Sequence, residues 1–141
     1  MNTDENETTK GKTMAAKTTT SRNGKHQAAG QWIRTDKRLA IYLRDQFTCI
    51  YCLRNLHGAD PQDITLDHIQ CQSDGGSNHE SNLVTSCRSC NCSRQDKPIS
   101  RFAGVETRKH IRRNTARKLT SYRKLAKAIL SGEINHEDVN F

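Results

Sequence analysis

The chain has 141 residues, enough for one small domain with tails. Hydrophobic residues are 33% and aromatics 5%; that excludes a large core, no apolar run approaches the ~18 residues of a membrane span, and the first thirty residues lack the apolar stretch of a secretory leader. The 23 Lys and Arg against 15 Asp and Glu leave a formal charge of +8, which points to a polyanionic partner, and six cysteines without a leader read as metal ligands or catalytic thiols before they read as disulfides.

Residues 1–30 contain no Ile, Leu, Val, Phe, Tyr or Trp. Such a segment cannot offset its ordering entropy by burial and is expected to be a disordered polar tail. Lys10, Lys12, Lys17, Arg22 and Lys25 outnumber its acids; a solvated tail is the simpler reading, a DNA-touching arm the alternative. Gln31 to Gln46 reads as a helix, with Thr35 as N-cap and Asp36 in the first turn. Leu39, Tyr42, Leu43 and then Phe47 form its apolar stripe, expected to pack against the following segment.

Ile64 to Ile69 alternates like a half-buried strand, with Ile64, Leu66 and His68 on one face. Asp74-Gly75-Gly76-Ser77-Asn78 is a turn cluster. Asn82 to Thr85 reads as a short return strand, and Ser89 to Asp96 as a helix stopped near Pro98. Beyond it, Ile111, Thr115, Leu119, Tyr122, Ala126 and Ile129 step by three or four, which predicts one long helix up to the Ser131-Gly132 stop. Between Arg101 and Leu130 there are ten Lys or Arg and one acid, Glu106. The expected division is a polar tail over 1–30, a domain with a leading helix over 31–104, a basic helix over 105–132 and an acidic tail over 133–141.

From Cys49 to Lys97 only nine large apolar side chains are present, and nine rarely hold a domain of that length together. Cys49-x-x-Cys52 and Cys87-x-x-Cys90 supply what is missing. Each turn can present two thiolates to one ion, and two such turns complete a tetrahedral zinc site. Structural zinc contributes on the order of 10 kcal/mol to folding. Cys71 and Cys92 fall outside the pairs and read as incidental thiols.

Between the pairs stand Asp67-His68 and Asn82, and Asn91 directly follows the last cysteine ligand. Asp67 can bind a hard cation through oxygen, and Asn91 offers a second oxygen. A neutral His68 can take a proton from water near pH 7. Asn82 can tie the loop through an amide that both donates and accepts. Taken singly, each is an ordinary surface or turn residue; inside a four-cysteine frame the set points to metal-assisted hydrolysis.

Thr48-Cys49-Ile50-Tyr51-Cys52, Leu66-Asp67-His68-Ile69, Asp74-Gly75-Gly76-Ser77, Ser81-Asn82-Leu83-Val84 and Cys87-Arg88-Ser89-Cys90-Asn91 together resemble the HNH endonuclease family, in particular its free-standing phage and mobile-element members with a zinc ribbon. The resemblance implies a small α+β protein with a ββα-metal (His-Me finger) fold, stapled by a four-cysteine zinc site and flanked by an N-terminal helix and a long basic C-terminal helix. By that resemblance His68 is the general base, its ring held by a backbone carbonyl. Asn82 orders the loop, and Asp67 and Asn91 hold the catalytic cation. The third family position, commonly histidine, is Asn91 here, as in HNN-type members; its hard oxygen favours magnesium or manganese. The implied activity is hydrolysis of phosphodiester bonds in double-stranded DNA. The implied setting is the cytoplasm or nucleoid of a bacterial host, with no membrane, and with a protein partner in a packaging, homing or restriction system as one option.

Arg94, Lys97, Arg101, Arg112, Arg113, Arg117 and Lys118 are the expected DNA contacts. For Arg94 a solvated helix arginine is the alternative. The rival function is a non-catalytic zinc-ribbon DNA-binding protein, in which Asp67, His68 and Asn91 are structural.

Overall fold

A computed structural model describes residues 33–138. The expected polar tail over 1–30 and the last three residues of the acidic tail lie outside the described residues. The first helix, α1, runs Thr35–Arg44, shorter at both ends than the sequence predicts. Thr35 is its first helical residue rather than its cap; Arg34 holds the cap position and makes no side-chain cap bond. At the other end Gln46 and Phe47 take positive φ angles of 58° and 52°, which ends the helix before the stripe does. Phe47 is still 5% exposed. Its ring packs against Tyr42 at 5.8 Å and edge-on against His57 at 5.2 Å.

Two strands, β1 (Ile64–His68) and β2 (Leu83–Cys87), pair antiparallel with Leu66 opposite Thr85 and His68 opposite Leu83. The return strand thus starts one residue later than expected, and Asn82 closes the 3-10 turn Glu80–Asn82 before it. Nor does β1 alternate: Leu66 and Asp67 are both buried, because an arginine from the following helix covers Asp67. In the loop between the strands, Gly76 is required by close approach. A Cβ there would lie 1.7 Å from the carbonyl oxygen of Gln70, which no rotamer change relieves.

The short helix α2 (Arg88–Arg94) follows β2 directly, with Cys87 as its N-cap. After Pro98 come α3 (Ile99–Phe102), α4 (Val105–Thr115) and α5 (Thr120–Leu130). The long basic helix expected over 105–132 is therefore two helices. Asn114 turns into the core and donates to Asp45 Oδ1 at 3.1 Å. The Thr115 hydroxyl donates back to the Ile111 carbonyl at 2.9 Å, a pattern that bends helices. The break lets one apolar stripe serve two clusters: Ile111 packs with Ile50 and Val84, whereas Leu119 and Ala126 join α1 and the hairpin.

The larger cluster gathers Ala40, Ile41, Tyr42 and Leu43 of α1, Leu66 and Leu83 of the hairpin, and Leu119 and Ala126. The α1 stripe thus packs chiefly on α5, a segment from the far end of the chain. Because α4 also packs on β2, the expected boundary at residue 104 runs through shared packing. Under this core lies a buried ion pair. Arg44 is 0% exposed and grips Asp45 with two bonds of 2.8 and 3.1 Å. It also donates to the carbonyls of Glu80 and Leu83, while Asp45 accepts from Thr85 N–H. Both charges are hydrogen-bonded beyond each other, which is the condition under which a buried pair holds. Among the described residues no helix is long and apolar enough to cross a membrane.

Candidate active site

The first cysteine pair sits on a tight knuckle. Leu53 N–H donates to the Cys49 carbonyl at 2.9 Å, and Cys49 N–H donates to the Arg54 carbonyl at 2.9 Å. Leu53 closes the turn at φ 66°, a left-handed conformation unusual for a branched residue. The second pair straddles the β2–α2 junction, where Cys90 N–H points at Cys87 Sγ at 3.4 Å. All four sulfurs lie within 4.8 Å of one another, and Cys52 and Cys87 are 3.9 Å apart. A tetrahedral zinc with Zn–S bonds of ~2.3 Å requires sulfurs ~3.8 Å apart. The donor set therefore fits zinc.

The electrostatics agree. Burial works against a thiolate at Cys49, but N–H groups of Cys52, Cys87 and Tyr51 outweigh it and bring its pKa down to about 7. Burial and then the neighbouring Cys87 thiol push Cys90 up, and burial does the same at Cys52. Four crowded sulfurs cannot all ionise without a cation between them. Cys71 and Cys92 take no part in the cluster.

β1 carries Asp67 and His68 at its end, and α2 carries Asn91. The Asn91 amide nitrogen donates to Thr65 Oγ1 at 2.9 Å and, longer, to the Leu66 carbonyl at 3.4 Å. With its nitrogen engaged on β1, the Asn91 amide oxygen makes no hydrogen bond of its own among the described residues. His68 Nε2 lies 2.7 Å from Asn78 Oδ1. The partner of the ring is thus a side-chain oxygen, not the backbone carbonyl that the resemblance implies. Asn82 accepts from Gln70 N–H at 2.8 Å and donates to the carbonyls of Gln70 and Ser77, which ties the two sides of the loop together.

Arg94 is not at the surface that its spacing suggests. It is 0% exposed, so it cannot meet DNA there. Nε donates to the Lys97 carbonyl, Nη1 to Asp67 Oδ2 at 2.8 Å and to the His68 carbonyl, and Nη2 to the Ile69 carbonyl and Cys71 Sγ. Its whole donor fork is engaged inside the protein. Lys97, Arg101, Arg112, Arg113, Arg117 and Lys118 are exposed.

Two residues near the site are not evident from the sequence. Tyr51, which by spacing is only apolar bulk, donates its hydroxyl to Asp67 Oδ2. Burial, and then the charge of Asp67, push that phenol above its usual range, so it stays a donor at any working pH. Its place between Cys49 and Cys52 is the one available signal. Asn78 reads as a turn residue, and nothing in its spacing distinguishes it.

A hairpin that ends in Asp-His, a helix whose Asn91 amide is tied to it, and four cysteines gathered at one point make up a small α+β domain with a site for one structural metal ion. The HNH endonuclease family model matches residues 49–97, about a third of the chain. No curated protein and no solved structure matches the chain.

Proposed function

We propose that the protein is a metal-dependent HNH endonuclease that hydrolyses phosphodiester bonds in double-stranded DNA, with Zn2+ as structural ion and Mg2+ or Mn2+ as catalytic ion. The observation that carries this reading is the Asn91 amide, tied by its nitrogen to Thr65 and Leu66 of β1, the strand that ends in Asp67 and His68. A binding ribbon has no need of that arrangement.

When bound by Asp67 and Asn91, a divalent cation supplies polarisation of the scissile phosphate and stabilisation of the departing 3′ oxygen. The chain does the rest. With Asn78 Oδ1 accepting from Nε2–H, His68 keeps its lone pair on Nδ1, the nitrogen that takes the proton from the attacking water. Asn82 holds the loop that carries Asn78. The exposed cations of α4 and the α4–α5 break supply affinity for phosphates without sequence information.

The test is cleavage of supercoiled plasmid in magnesium, manganese or EDTA, with His68→Ala in parallel and zinc content measured in both proteins. The wild type is expected to nick or linearise with metal. His68→Ala should lose at least ~100-fold, the usual weight of a general base, with zinc unchanged. Full activity in the variant would falsify the assignment.

A second reading, a non-catalytic zinc-ribbon DNA-binding protein, has one observation on its side: Asp67 is already paired with a buried arginine. Salt-sensitive binding by both proteins, with cleavage by neither, is the outcome that favours it.

A further inference from the structure

The Asp67 carboxylate is contacted on one oxygen by two donors from different parts of the fold. Tyr51 reaches Oδ2 from the cysteine knuckle, and Arg94 reaches the same atom from the end of α2. Both donors are themselves held. The Tyr51 ring stands edge-on to Phe102, with centroids 5.1 Å apart at 81°, and Arg94 is fixed by three backbone carbonyls. The Asp67 side chain keeps only 7% exposure.

We propose that Tyr51 is a positioning residue for the cation ligand Asp67, so that the zinc knuckle sets the geometry of the catalytic centre as well as the stability of the fold. The inference rests on the function proposed above. The physical argument concerns one rotatable group. An aspartate held by a single donor still turns about its Cβ–Cγ bond. Two donors converging on Oδ2 fix that torsion and commit the other oxygen to the cation. Arg94 alone is a poor device for this purpose, because its positive charge repels the ion that Asp67 must accept. The neutral Tyr51 hydroxyl orients the carboxylate without that cost. Because Tyr51 lies between Cys49 and Cys52, any shift of the knuckle is passed to Asp67 through one side chain.

Partners of this kind, which orient a metal ligand, change metal affinity by ~10–100-fold when removed. Tyr51→Phe keeps the ring, its contact with Phe102 and its burial, and removes only the hydroxyl. Mn2+ binding is measured by electron paramagnetic resonance on the zinc-loaded protein, alongside zinc content and thermal melting. Tyr51→Phe is expected to raise the Mn2+ dissociation constant about tenfold while zinc stays at one per chain. In cleavage, the metal concentration for half-maximal rate should rise by the same factor, and the rate at saturating metal should recover most of the wild-type value. A role confined to folding would lower melting and zinc content and leave the affinity of the folded fraction untouched. Equal Mn2+ affinity in wild type and variant overturns the inference and leaves the nuclease reading standing. A wild type that binds no Mn2+ and cuts no DNA overturns both.

Discussion

At the scale of single residues, Arg94 shows how burial decides a role that spacing cannot. Three residues past Asn91 on a helix, an arginine is equally suited to a phosphate or to solvent. The structure sends it inward, to Asp67 and to carbonyls around the end of β1. Replacing it with Met leaves the buried Asp67 carboxylate without its countercharge, held by Tyr51 alone, and several carbonyls without donors, and breaking such a pair costs ~3–5 kcal/mol. Urea denaturation should register that loss as an earlier midpoint. If stability is unchanged and DNA affinity falls instead, the guanidinium belongs at the DNA after all. The four cysteines are legible in the sequence because their type is chemically scarce and their spacing is constrained, and the structure gathers them at one point. Tyr51, Asn78 and Arg94 stay hidden, since their parts depend on which atom faces which across the hairpin, and distances of that kind have no periodicity.

At the scale of elements, the hairpin and α2 are readable from their strand pattern, turn glycines and proline stop. The C-terminal half is not. Its steps of three and four fit one straight helix, yet Ile111 and Leu119 go to different clusters, and a polar residue, Asn114, sits 5% exposed at the turn between them. Hydrophobic periodicity registers a face but not a bend within it. The ion pair Arg44–Asp45, to which Asn114 donates, joins neighbours in sequence through partners 36 to 69 residues away, so no local rule announces it. The bend bears on DNA. Arg112 and Arg113 stand exposed on α4, and Arg117 and Lys118 in the break. If these cations track phosphates, Arg112→Gln with Arg113→Gln should weaken binding uniformly across sequences. It should also lower the slope of log affinity against log salt by about 2, near 0.9 for each phosphate that is no longer neutralised. Zinc content and melting should not move, since neither side chain is buried. An unchanged slope would remove α4 from the interface.

At the scale of the whole molecule, the question is whether zinc stabilises one corner or the entire fold. The cluster around the knuckles is small: Cys49, Leu56 and Cys87 are its only buried members among the described residues, and two of the three are ligands. Without the ion that corner keeps only Leu56 and the partly buried Tyr51, Ala59 and Ile64 as apolar packing, and the crowded sulfurs repel one another as they ionise. The larger cluster does not stand apart from it. Leu66 and Leu83 belong to that larger core, yet β1 and β2 are joined at their far end through Ile64 and Cys87, so a loosened knuckle frees the strand that carries Leu83. A structural zinc contributes on the order of 10 kcal/mol, against total stabilities of ~5–15 kcal/mol for domains of this size. The ion's share is thus comparable to the stability of the whole fold. Stripping zinc with a strong chelator should therefore abolish the far-ultraviolet helical signal of α1 and α5 together with the hairpin, in one transition that coincides with zinc release. Cys52→Ser, at the most exposed ligand, should reproduce the effect without a chelator. A zinc-free protein that keeps its helices and still melts cooperatively would mean that α1 and α5 hold a core of their own and that the metal organises only the catalytic corner.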